Sequence, residues 1–269
     1  MCGDSTDQED VRTLCAGQAM QLLMTDPPYN VDIENAAHKK SRNTGKGIMN
    51  DNMPADEFVA FLTSAMKNAC QAMGPGSAFY VFYSAKHHTE FEKAITDAGS
   101  FYFSEQLIWV KDTFVMGIAT DYQWQHECCF YGWKEGAGHY FTDSRKESTV
   151  IEDENVRLSN LKKEELITLC QKLMHRDEPS TAVYAGKPAA GDLHPTVKPQ
   201  TLIAPLIANS SKPGWNVLDL FAGSGSTMIA CEQLGRKAYC MELDPHYCDA
   251  IIQRWETFTG KKAELLTKG

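Results

Sequence analysis

NVLDLFAGSGST, residues Asn216–Thr227, is an apolar run that breaks at a glycine turn and restarts as a helix near Ser226. Gly223 and Gly225 let the backbone turn sharply and let a ligand come close, while the helix behind them presents free N–H groups. The turn lacks the Gly-Lys-Ser/Thr of a phosphate-gripping loop and the third glycine of the dinucleotide fingerprint, so it is not built for pyrophosphate.

Immediately downstream, Ala238 to Glu242 reads as a second strand and Pro245 to Thr257 as a helix. Glu242 closes that strand, where a carboxylate can accept hydrogen bonds from both hydroxyls of a ribose. Asp219 stands at the neighbouring strand tip. A nucleoside with a neutral or cationic tail suits these acids better than one carrying phosphates, and S-adenosylmethionine is such a molecule.

Working towards the amino terminus, Thr201 to Asn209 is a helix, and Ala19 to Thr25 a buried strand that runs straight into Asp26-Pro27-Pro28-Tyr29. Two prolines end the ladder there, placing the tetrapeptide at a strand's carboxyl edge. A polar loop follows to Met53, carrying His38, Lys39, Lys40, Arg42 and Lys46. Pro54 to Met73 has apolar residues at Phe58, Phe61, Leu62, Ala65, Met66 and Ala69, the spacing of a helix, closed by Gly74-Pro75-Gly76. Ser77–Tyr83, Gln106–Lys111 and His126–Trp133 read as strands and Lys86–Ala98 as a helix. Strands alternating with helices of this length predict a doubly wound α/β sheet, because parallel neighbours need crossovers. From 134 to about 188 glycine and charge increase, and Leu161–Met174 forms one amphipathic helix. This stretch is read as an insertion, dividing the chain into 1–133, 134–188 and 189–269, with 30–53 as a functional loop.

At 269 residues, 43% hydrophobic and 23% charged, the chain is long enough for a sizeable core and is not of disordered composition. No apolar run nears the ~20 residues that span a bilayer, and the start is polar and acidic, so a cytoplasmic chain without membrane association is expected. The nine cysteines, among them Cys70, Cys129, Cys170, Cys231 and Cys240 in apolar segments, read as reduced core thiols. No metal is expected, since His87-His88 and His126-Glu127 lack a third ligand at suitable spacing. Trp109, Trp124 and Trp133 read as core or lid aromatics. Lys and Arg number 26 against 35 Asp and Glu, a net charge of −9. Nucleic-acid binders are usually basic throughout, so any contact with DNA must come from a local positive face.

The order Asp26-Pro27-Pro28-Tyr29, then His194-Pro195-Thr196-Val197-Lys198-Pro199, then Phe221-Ala222-Gly223-Ser224-Gly225 resembles the beta group of amino-directed, N6-adenine or N4-cytosine, DNA methyltransferases. The resemblance runs from Gly3-Asp4-Ser5-Thr6 to Trp255. It implies a mostly parallel, seven-stranded, Rossmann-like methyltransferase sheet in circularly permuted order, with 134–188 as a small target-recognition region. It further implies that Phe221 packs on the cofactor adenine, that Gly223, Gly225 and Ser226 lie along its methionine part, and that Glu242 holds the ribose, with Asp219 beside it. Thr196 and Lys198 would meet its amino-acid end, where a cation can pair with a carboxylate. Asp4 would approach the adenine edge, although no strand precedes it and such an end frays.

The tetrapeptide makes chemical sense by itself. An exocyclic amino group is a poor nucleophile until its nitrogen pyramidalises. Acceptors aimed at its N–H bonds favour that change, and the Asp26 carboxylate and Pro27 carbonyl supply them. Pro28 sets the backbone direction, and Tyr29 offers a ring on which an extruded base can stack. Asp-Pro-Pro-Tyr rather than Ser-Pro-Pro-Tyr favours adenine N6. The alternatives are N4-cytosine methylation and a catalytically idle DNA-binding module of the same fold. Double-stranded DNA is the expected partner, gripped by Lys39, Lys40, Arg42 and Lys46 with help from insertion cations beginning at Lys134. A homodimer is a candidate assembly.

Overall fold

The computed structural model describes residues 1–31, 49–115, 121–144, 146–153, 162–164 and 197–266. The chain opens with helix α1 (Gln8–Cys15), strand β1 (Met20–Thr25), helix α2 (Ala55–Ala72) and strand β2 (Met73–Tyr83). A 3-10 turn (Ala85–His87) leads into α3 (His88–Ala98), the antiparallel pair β3 (Phe101–Val115) and β4 (Trp124–Lys134), and the short β5 (Val150–Glu152). The last part holds α4 (Gln200–Ser210), β6 (Asn216–Asp219), α5 (Ser226–Leu234), β7 (Lys237–Cys240) and α6 (Pro245–Thr259).

These strands form one seven-stranded sheet in the order β5-β3-β4-β2-β1-β6-β7. All pairings are parallel except those of β4, which is antiparallel to both β2 and β3. The sheet is therefore mostly parallel with one reversed strand, in agreement with the alternation read from sequence.

Successive residues of a strand point to opposite faces, and β1 feeds both. Leu23, with Phe79 and Val81, packs under Phe58, Leu62 and Met66 of α2 and Phe91 and Ile95 of α3. Leu22 and Met24, with Tyr80 and Phe82, pack against Leu202, Leu206 and Ile207 of α4 and Ala230 and Cys231 of α5. Being covered twice, β1 reads as a continuous apolar run. The chain leaves β1 towards β2 on one side and leaves β6 towards β7 on the other. The crevice outside the carboxyl ends of β1 and β6 is thus the switch point at which open α/β sheets bind ligands.

Several expectations need correction. Gly74-Pro75-Gly76 does not separate helix from strand. It lies within β2, where pairing shifts from Met20↔Met73 to Leu22↔Ala78, and the irregular register absorbs residues a regular ladder would reject. The amino terminus does not fray: Cys2 bridges Glu242, with Gly3 N donating to Glu242 O at 3.0 Å and Glu242 N to Met1 O at 3.1 Å. Helix α1, unanticipated, is capped by Asp7, whose carboxylate accepts from Glu9 N at 2.8 Å. Lys134 does not serve a DNA face, because its ammonium donates to the carbonyls of Cys70 and Met73 at 2.7 Å each, closing the end of α2. β5, from inside the inserted stretch, adds a parallel edge strand to β3.

The described cysteines are free thiols, with Cys70, Cys129, Cys231 and Cys240 buried; Cys170 lies outside the described residues. Trp109 belongs to the core, Trp133 stacks on His139 and Trp124 is exposed. Among the described residues no helix is long and apolar enough to cross a membrane, and no group of three His, Cys, Asp or Glu could hold a metal.

Candidate active site

At the switch point one cavity takes in both distant motifs. Its lining includes Asp26, Pro27, Pro28 and Tyr29 from the end of β1, Phe221, Gly223 and Ser224 from the turn after β6, Ser226 from the start of α5, Glu242 beyond β7, and Asp4 and Lys198. The two strand ends are tied where they meet, with the Thr25 hydroxyl donating to Asp219 Oδ1 at 3.1 Å. Lys198 forms a second tie: its carbonyl accepts from Ser226 Oγ at 2.7 Å, and its ammonium donates to Asp26 Oδ2 at 2.5 Å.

The glycine-loop half is set by backbone geometry. Gly225 has φ +77°, and a Cβ there would come within 2.9 Å of Ile251, so the turn excludes a side chain on two counts. It caps α5 without a side-chain bond, which leaves first-turn amides for a ligand. Each oxygen of Glu242 is set by one backbone donor, Gly223 N at 2.8 Å and Asp244 N at 3.1 Å, and keeps acceptor capacity for hydroxyls. Phe221 lies edge-on to Phe61 at 5.8 Å, forming an apolar wall. Asp4 accepts from the amide and hydroxyl of Thr6 at 2.8 Å each, which orients its carboxylate at the cavity rim.

Asp219 is 4% exposed. Burial pushes its carboxyl up to about 6, against hydrogen bonds from Thr227, the Phe221 amide and Thr25; the charge of Asp26 adds to the rise. Because the folded value lies above the unfolded one, stability from this group is present below about pH 4 and is lost as pH rises through 6. Asp219→Asn is accordingly expected to stabilise the protein by roughly 1–3 kcal/mol at pH 8, with the gain vanishing near pH 3. Urea unfolding at both pH values checks this, and an equal change at both would contradict it.

The tetrapeptide half is an ionic cluster. Tyr29 donates its hydroxyl to Asp26 Oδ1 at 2.8 Å and lies 3.2 Å from Glu127 Oε2. Burial, then the carboxylates of Asp26 and Glu127, raise the Tyr29 phenol well above its ordinary value, so it stays a donor. Lys198 Nζ also lies 3.0 Å from Glu127 Oε2, and it stands over the rings of Tyr29 and Phe82 at 5.3 and 5.1 Å from their centroids. Burial alone would lower the Lys198 ammonium, but Asp26 and Glu127 reverse this and raise it. Glu127 pairs in turn with Lys111.

Lys198 is thus turned towards the Asp26–Tyr29 corner, not held open at the glycine loop, because two carboxylates meet it there. In the sequence Glu127 stands out only as half of a His-Glu metal pair. The signal that could have found it is an acid opening the apolar run Cys128–Trp133, a position that asks for a partner. The loop after Tyr29 is pinned at both ends: Asn30, at φ 56°, exchanges hydrogen bonds with Met53 N and O at 2.6 and 2.9 Å, and Val31 N donates to Asp51 at 3.2 Å. Lys39, Lys40, Arg42, Lys46 and Thr196 lie outside the described residues.

A family model described as DNA methylase matches residues 20–254. The type II methyltransferase M.HpaI of Haemophilus parainfluenzae is 23% identical over 247 residues, 89% of this chain and 69% of that protein. The solved complex of M1.HpyAVI with SAM aligns at a TM-score of 0.59 and 18% identity, covering 94% of this chain and 96% of that one. The cytosine-N4-specific PvuII DNA methyltransferase aligns at 0.63 and 18%, covering 96% and 89%. At such identities the structural likeness is one of fold.

Proposed function

Because the chain belongs to the N6/N4 DNA methylase family, we propose that it transfers a methyl group from S-adenosylmethionine to the exocyclic N6 of an adenine turned out of duplex DNA. The observation that carries this reading is Lys198, whose backbone is bonded to Ser226 of the glycine-loop helix while its side chain grips Asp26. Cofactor loop and acceptor corner therefore open into one cavity. The Gly223 and Ser224 backbone lining the cavity, the pre-set Glu242 carboxylate and the Phe221 wall fit a nucleoside carrying an amino-acid tail. When bound, that cofactor supplies an electrophilic methyl on a sulfonium. Phe221, Gly223, Ser226, Glu242 and Asp4 would hold it, with Gly225 shaping the turn against Ile251 and Asp219 bracing the loop through the Phe221 amide.

The chain's own part is positioning. Asp26 and the Pro27 carbonyl accept the two amino N–H bonds, favouring a pyramidal nitrogen whose lone pair faces the methyl. Pro28 keeps that carbonyl in place. Tyr29, half-buried and edge-on to Phe91 at 6.3 Å, offers its ring to the extruded base. A carboxylate at the head of the tetrapeptide supports adenine over cytosine. Incubation with methyl-labelled donor and mixed-sequence duplex, followed by nucleoside mass spectrometry, is expected to yield N6-methyladenine. N4-methylcytosine would change the target base, and no label in DNA would retire the enzyme reading.

Duplex binding is assigned to Lys39, Lys40, Arg42 and Lys46, in the loop whose pinned ends flank Tyr29. Replacing Lys39, Lys40 and Arg42 by Ala is expected to weaken binding and to flatten log K against log salt by roughly 0.9 for each phosphate no longer neutralised. An unchanged slope in a salt titration would remove these cations from the interface.

A further inference from the structure

Both oxygens of Asp26 are engaged inside the protein, Oδ1 by the Tyr29 hydroxyl at 2.8 Å and Oδ2 by the Lys198 ammonium at 2.5 Å. An amino group that is to donate to this carboxylate competes with those donors. An ammonium only 8% exposed does not leave its anion for nothing, because an unpaired buried charge costs several kcal/mol. Yet both donors already reach a second acceptor, and it is one atom: Glu127 Oε2, 3.0 Å from Lys198 Nζ and 3.2 Å from the Tyr29 hydroxyl. The other oxygen of Glu127 is taken by Lys111, so the two carboxylates and two ammoniums balance in charge whichever acid Lys198 favours.

We propose that Glu127 is a positioning residue for methyl transfer: it receives Lys198 and Tyr29 as Asp26 turns to the substrate amino group. The assignment rests on the methyltransferase reading above. No covalent step is involved. Two hydrogen bonds move from one carboxylate to the next over a few tenths of an ångström, and the acceptor strength of Asp26 is released only when the base is present. The reversed direction of β4 makes this geometry, since it brings the amino end of that strand to the edge where the parallel strands finish.

The test compares Glu127→Gln, which keeps shape and loses charge, with Glu127→Asp, which keeps charge and shortens reach. Turnover, KM for duplex, Kd for S-adenosylmethionine and melting temperature are measured for each. Glu127→Gln is expected to lower kcat by about 10- to 100-fold with KM and Kd unchanged, and Glu127→Asp to fall between it and the wild type. Wild-type kcat in Glu127→Gln overturns the assignment while leaving the enzyme reading intact. A variant that fails to fold, or that loses donor binding in step with turnover, marks Glu127 as a member of a structural ion pair and overturns it as well. Absence of methyl transfer by the unaltered protein strikes the functional reading instead.

Discussion

Asp26→Ala is expected to cut methyl transfer by roughly a thousandfold while donor binding stays close to wild type. The residue stands at the end of β1, outside the glycine turn and the Glu242 carboxylate that line the other half of the cavity. On the proposed reading, removing it takes away the charged acceptor for the amino group and leaves the Pro27 carbonyl alone. The fold should tolerate the change, because Lys198 keeps Glu127 at 3.0 Å and its rings. Single-turnover assays beside calorimetric titration of the donor separate the two quantities. Undiminished turnover would refute the role given to Asp26, and loss of donor binding would make the residue part of the cofactor pocket.

Lys198→Met should have the largest effect on stability, about 3 kcal/mol at neutral pH, since it removes the buried cation that two half-buried carboxylates share. Among the described residues Asp26 then retains only the Tyr29 hydroxyl, and Glu127 only Lys111 and that same hydroxyl. The pH dependence follows from Glu127, which burial alone would raise but which Lys198 and Lys111 together hold down to about 2. A carboxylate lowered on folding stabilises above its ordinary value of 4.5 and loses that contribution as pH falls towards 2. The gap between wild type and variant should therefore be widest near pH 7 and narrow below about 4.5. Guanidinium unfolding across that range checks it, and equal stabilities at pH 7 would show that the ion pair is fully offset by its desolvation.

Much of this architecture is legible without coordinates. Of the α2 stripe, Phe58, Leu62, Ala65, Met66 and Ala69 are buried as the spacing requires while Phe61 is half-buried against Phe221, and the helices expected over 86–98, 201–209, 226–234 and 245–257 are present. Periodicity sees these elements because a helix or strand covered by a core repeats its apolar residues at a fixed interval. It does not see α1, whose eight residues are mostly polar, or β5, which has three. The anchored amino terminus is also invisible to it, because its hydrogen bonds go to residues around Glu242, far along the chain.

The chemistry of the site divides in the same way. Asp26-Pro27-Pro28-Tyr29, the Gly223–Gly225 turn and Glu242 are marked by sequence alone, since prolines, glycines and a terminal acid impose local backbone geometry wherever they occur. Which charges face one another is decided by the tertiary structure. Lys198 meets Asp26 across 172 residues of chain, and Glu127 joins them only because β4 runs against its neighbours. Strand direction is a property of the whole sheet, and a buried charge takes the partner that packing leaves within reach.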